Sequence, residues 1–107
     1  MKHGPIALIT DGMPVVMIAP RGAWYDKIIS NIEEVRARGG QLILIGTGQD
    51  QALIKLARFY LGLPEGAWTT YPVLAAIPVQ LMSYHLAVNL KRDVDQPRNL
   101  AKSVTVE

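Results

Sequence analysis

The chain has 107 residues, half of them hydrophobic and 19% charged, with 9 Gly, 7 Pro and no Cys, which limits it to one compact domain and excludes intrinsic disorder. Without cysteine there is no disulfide framework, no thiolate metal site and no cysteine nucleophile in this sequence. Eleven Lys and Arg against nine Asp and Glu leave a formal charge of only +2, so nucleic acid is not the expected partner.

In chain order, Met1-Lys2-His3-Gly4-Pro5-Ile6 meets Gly and Pro at once and lacks the apolar core of a secretory signal, so export is not expected. Val15 to Ala19 is a short, partly β-branched apolar run between Pro14 and Pro20, the pattern of a fully buried strand in a parallel sheet. A helix is predicted over Ala23 to Arg38, where Trp24, Ile28, Ile32 and Val35 recur at helical spacing and charged residues fill the other face. Glu34 and Arg38 are spaced to pair on that face, and Gly39-Gly40 is expected to end the helix. Gln41 to Ile45 repeats the buried-strand pattern, giving a βαβ unit with a right-handed crossover.

Gly46 to Arg58 reads as a turn with a short helical stretch, Phe59-Tyr60-Leu61 as a third short strand, and Gly62 to Gly66 as a loop. A second helix is predicted from near Trp68 to Pro72 through about Lys91, bent at Pro78 and apolar almost all round. Its polar residues Gln80, Ser83, His85 and Asn89 make a membrane span costly, so it reads as a buried helix covered on most sides by a sheet and a partner subunit, and the isolated chain is expected to expose this helix and the faces of Val15 to Ala19. From Asp93 the sequence becomes polar and aperiodic, a tail whose Ser103 to Val106 alternation also fits an edge strand. Two or three strands and two substantial helices amount to about half of a doubly wound domain, so a longer parent chain is expected.

Chemistry-bearing residues are few. Gly46-Thr47-Gly48 follows a strand as a dinucleotide-binding turn would, but Gln51 stands where a third glycine is needed, which leaves a tight turn with positive φ as the simpler reading. His3 and His85 have no metal-ligand spacing, and His85 reads as an interior or interface histidine. His3, beside the flexible Gly4, has an imidazole able to move protons near neutral pH, but on residue type alone an ordinary frayed terminal histidine is the simpler reading. Lys102, four residues after Arg98, is either a solvated tail lysine or, if neutral, a nucleophile.

Three stretches carry a resemblance: residues 2–9, residues 31–41 and, above all, residues 93–107, of which the run Asp95-Gln96-Pro97-Arg98-Asn99-Leu100-Ala101-Lys102-Ser103-Val104-Thr105-Val106-Glu107 is the most specific. Together they resemble the carboxyl-terminal end of the glutamine:fructose-6-phosphate aminotransferases, or glucosamine-6-phosphate synthases. The resemblance runs from residue 2 to the last residue and is thinnest over Gly46 to Trp68.

That resemblance implies an α/β fold, a partial SIS-type (flavodoxin-like) three-layer domain over residues 1–92 with a short parallel sheet flanked by helices, followed by an irregular active-site tail over residues 93–107. The family converts fructose 6-phosphate and glutamine to glucosamine 6-phosphate and glutamate. By resemblance, Lys102 matches the lysine that forms a Schiff base with the ketose, Ala101 the neighbour whose backbone approaches the sugar, and His3 the ring-opening histidine given to the neighbouring subunit.

The implied partners are a sugar phosphate (fructose 6-phosphate or glucosamine 6-phosphate), the remainder of the synthase and a second copy in a homodimer, in the cytoplasm, with no cofactor, metal, nucleic acid or membrane. The glutaminase cysteine, the phosphate-cradling Ser/Thr-rich loop, the isomerising glutamate and a further active-site lysine of the family have no counterpart in this sequence. The chain alone is therefore expected to be inactive. The alternative is a standalone sugar-phosphate-binding or regulatory module, and a nucleotide or nucleic-acid binder ranks last.

Overall fold

A computed structural model describes residues 4–96. The first of two compact units, which ends at Ala75, contains a three-stranded parallel sheet, and its elements alternate strand and helix. They are β1 (Pro14–Ala19), α1 (Tyr25–Ala37), β2 (Gln41–Thr47), α2 (Gln51–Leu56) and β3 (Phe59–Leu63), with strand order β1-β2-β3. Register is set by Val15 opposite Leu42 and Met17 opposite Leu44 on one side of β2, and by Leu44 opposite Tyr60 on the other. Parallel neighbours joined by helices place both crossovers on one face of the sheet.

The core lies between that face and the two helices. Ala19, Leu42 and Leu44 from the strands meet Ile32 and Val35 of α1 and Leu53 of α2, and all six are buried. A 3-10 turn at Pro5–Leu8 adds Ile6, also buried in this cluster, which ties the start of the described chain to the core. Burying a side chain of this kind contributes roughly 1.5–3 kcal/mol.

α1 ends as its sequence requires. Gly39 has φ 79°, its N–H donates to Arg36 O at 3.0 Å, and the Gly40 N–H donates to Val35 O at 3.1 Å. This is a Schellman closure, in which a left-handed glycine satisfies the last helical carbonyls. Arg38 caps the helix outside helical geometry, with φ −93° and ψ 7°, so the expected Glu34 to Arg38 pair does not form. Trp24, expected on the buried stripe, precedes the helix and is exposed.

β1 departs from the buried pattern. Val15 and Met17 are half-buried under the helices, while Val16 and Ile18 on the other face are exposed. A continuous apolar run fits a strand covered on both faces, and one face of β1 has no cover among the described residues. β3 runs two residues further than expected, through Gly62 to Leu63. Gly62 lies in the strand because it passes the Gly48 backbone so closely that a Cβ would collide with the Gly48 carbonyl.

After a 3-10 turn at Trp68–Thr70, α3 (Tyr71–Asn89) begins. Tyr71 and Ala75 are buried, and the Tyr71 hydroxyl accepts from the Gly66 N–H at 3.4 Å. In the unit from Ala76 onward the helix exposes Ile77, Leu81, Tyr84, Leu86 and Val88, the exposure expected of this chain on its own. His85 is likewise exposed rather than interior, its ring edge-on to Tyr84 at 5.3 Å. Trp68–Asn89 is long and apolar enough to cross a membrane by length and composition, a test that core helices of soluble proteins also pass.

Candidate functional site

The carboxyl ends of parallel strands are where open α/β sheets bind ligands, since each strand there turns into a loop whose backbone and side chains face a common edge. Here that edge is organised around Asp50. β1 delivers Arg21 just beyond its end, α1 then starts with Tyr25, and β2 ends at Thr47 with Asp50 in the turn that follows.

Asp50 is buried and fully engaged. Its Oδ1 accepts from the backbone N–H groups of Ala52 at 3.0 Å and Leu53 at 3.3 Å, which makes it the N-cap of α2. Its Oδ2 accepts from the Tyr25 hydroxyl at 2.7 Å and from Arg21 Nε at 3.2 Å. The Arg21 N–H meanwhile donates to Thr47 Oγ1 at 3.1 Å, so the loop after β1 is pinned to the end of β2 twice.

A second hydroxyl closes the turn after β2. Tyr60 on β3 donates to the Gly48 carbonyl at 2.9 Å and lies 3.4 Å from the Asp50 N–H. Gly48 takes φ 54°, as the expected tight turn requires, and its N–H donates to Leu63 O at 2.8 Å. The turn is thus held by its own strands, with no third glycine and only a six-residue helix behind it.

The electrostatics follow from this packing. Burial pushes the Asp50 carboxyl up, but hydrogen bonds from Tyr25, the Leu53 amide, Arg21 and the Ala52 amide outweigh it and hold the group below its usual range. Burial and then the hydrogen bond to the Asp50 anion push the Tyr25 phenol up to about 12. The hydrogen bond to Asp50, reinforced by its charge, raises Arg21 further. At neutral pH the site is a fixed carboxylate, a neutral phenol and a permanent cation. Such a set orients its surroundings rather than transferring protons.

Sequence reasoning missed Arg21, Tyr25 and Asp50, whose partners lie 25 and 29 positions apart. The available signal was local: an Asp at the start of an apolar helical stretch is an N-cap pattern, and Arg21 directly follows a strand. His3, Ala101 and Lys102, the residues singled out through the resemblance, lie outside the described residues, as do Arg98 and Ser103 to Val106. Among the described residues no cluster of His, Cys, Asp and Glu could hold a metal ion.

Comparison with known proteins places this geometry. The SIS domain family model matches residues 1–90. The whole chain is 54% identical to glutamine--fructose-6-phosphate aminotransferase [isomerizing] of Thermus thermophilus and 53% identical, over 108 aligned positions, to that of Rhizobium meliloti. It spans 18% of the length of each of these curated relatives. Among solved structures, the C-terminal domain of glucosamine-fructose-6-phosphate aminotransferase from Francisella tularensis superposes with a TM-score of 0.74 at 43% identity. That match covers 89% of this chain and 27% of the other. The parallel sheet with flanking helices and the match over residues 1–90 agree: the chain belongs to the SIS domain family and matches the C-terminal SIS domain of the aminotransferase.

Proposed function

We propose that the chain acts as the carboxyl-terminal part of the isomerase region of a glutamine:fructose-6-phosphate aminotransferase, with Lys102 and His3 as its chemical residues. The observation that carries this reading is 54% identity to the Thermus thermophilus enzyme over all 107 residues.

In this reading Lys102 condenses with the ketose carbonyl of fructose 6-phosphate, losing water to form an imine. The imine acidifies the adjacent carbon, so a proton can shift between neighbouring carbons, and the lysine must be neutral to begin. Ring opening precedes this step and needs a proton moved between the ring and anomeric oxygens, which the His3 imidazole can give and take near neutral pH. Ala101 would bring its backbone to the sugar. Residues 1–92 then form the SIS portion and residues 93–107 the active-site tail, and closing a tail that bears the lysine would keep water from the imine.

The remaining groups come from the rest of the synthase and from a second copy, whose active site receives His3. The chain alone is proposed to be inactive, cytoplasmic and not membrane-bound, and its exposed α3 residues to be covered within the complete enzyme. The test joins this chain to the preceding portion of the Thermus thermophilus enzyme in place of its own last segment. The chimera should form glucosamine 6-phosphate from fructose 6-phosphate and glutamine, while the 107-residue chain forms none. A folded but inactive chimera would contradict the proposal.

A further inference from the structure

Beside the Asp50 network lies a cavity of about 400 Å³ lined by Arg21, Gly22, Ala23, Trp24 and Trp68. Its volume is in the range of small-molecule sites. Both tryptophans of the chain line it, and both are unusually open, Trp24 at 69% exposure and Trp68 at 77%. Large aromatic side chains are normally among the more buried in a fold, so two exposed indoles around one cavity mark a recognition surface.

Arg21 supplies the polar element. Its Nε is committed to Asp50 at 3.2 Å, its side chain is 58% exposed, and its two terminal nitrogens make no hydrogen bond with any described residue. The guanidinium is thereby fixed on one edge and free on the other, the arrangement that receives two oxygens of a phosphate side by side. A second cation, Lys27 Nζ, sits 5.3 Å from the centre of the Trp24 ring. The anions nearby are Asp50, already neutralised by Arg21, and Glu65, whose charge acts on Arg21 from beyond β3. Asp26 stands in the first turn of α1.

We propose that this cavity is a ligand site for a molecule that joins a phosphate to a flat aromatic ring through a short spacer, a nucleoside monophosphate in chemical class. Arg21 binds the phosphate and the indoles of Trp24 and Trp68 stack with the ring. Aromatic rings stack on indole regardless of base identity, so the site selects for phosphate and ring together rather than for one base. The site uses neither His3 nor Lys102, so its test is separate from theirs.

Because both tryptophans line the cavity, intrinsic fluorescence of the 107-residue chain reports on it directly. The experiment titrates the chain with adenosine monophosphate, adenosine and inorganic phosphate, exciting at the red edge of the indole band to avoid absorption by the base. Adenosine monophosphate should give a saturable change, adenosine and phosphate alone a response at least about tenfold weaker. Arg21→Gln should weaken the nucleotide response by about tenfold or more, and Glu65→Gln should strengthen it by removing a competing anion. Circular dichroism checks that each variant is folded. Equal responses to adenosine and its monophosphate, no saturation, or folded Arg21→Gln binding as tightly as the parent would each overturn the proposal.

Discussion

The Tyr25 hydroxyl donates to the Asp50 carboxylate at 2.7 Å across 25 positions of sequence, joining the start of α1 to the start of α2. The same oxygen takes Arg21 Nε, so one buried anion sets the direction of two helices and one cation at the carboxyl edge of the sheet.

Asp50→Ala should therefore destabilise the fold by about 2–4 kcal/mol, from the lost cap of α2 and the stranded Tyr25 hydroxyl. Asp50→Asn should cost less, because the amide oxygen can still cap. Urea denaturation measures both, and an alanine variant as stable as the parent would remove Asp50 from its central place.

The pH dependence has two limbs. The Asp50 carboxyl is held below its ordinary 3.8, so its contribution is complete above that value and is lost as pH falls through the folded-state value. Tyr25 is pushed from 10.0 to about 12, so the stability linked to its neutral form is full below pH 10 and is lost as pH rises through about 12. Asp50→Asn should flatten the acid limb and Tyr25→Phe the alkaline one. Phenolate absorbance should lose a component ionising near pH 12 in Tyr25→Phe.

Gly62→Ala tests the close approach of β3 to the turn after β2. The added Cβ would meet the Gly48 carbonyl oxygen, which is backbone and cannot swing aside. A loss of about 1–3 kcal/mol in chemical denaturation is expected. Gly22→Ala, where a Cβ meets nothing within 4 Å, should be close to neutral.

The open face of β1 predicts association. Val16 and Ile18 are exposed on an edge strand, and such edges pair or aggregate unless blocked. Sedimentation velocity of the isolated chain should show oligomers growing with concentration. Val16→Lys with Ile18→Lys should reduce them, and a parent chain that stays monomeric at all concentrations would contradict the expectation.

Much of the fold was legible because the apolar runs are short, bounded and alternate with helical periods. Val15 to Ala19, Ile28 to Val35 and Gln41 to Ile45 became β1, α1 and β2, and Gly39 ended α1 with the left-handed φ that its position demands. Cover was legible only as a deficit, the isolated chain being expected to leave the faces of β1 and α3 open. Val16, Ile18 and the apolar residues of α3 are equally hydrophobic whether or not something lies over them, and sequence pattern cannot say what does. The Arg21–Asp50 pair was invisible for a different reason: the two residues meet only after β1 and β2 pair in register. His3, Ala101 and Lys102 were singled out through resemblance and remain part of the proposal, since they fall outside the described residues.

Lys102 is proposed to form the imine, and covalent trapping puts that bond to the test. The chimera with the Thermus thermophilus portion is incubated with fructose 6-phosphate, reduced with borohydride, digested and mapped by mass spectrometry. One secondary amine adduct is expected on the peptide bearing Lys102, absent in Lys102→Arg together with turnover. An active chimera with no adduct at Lys102, or an active Lys102→Arg variant, would contradict it.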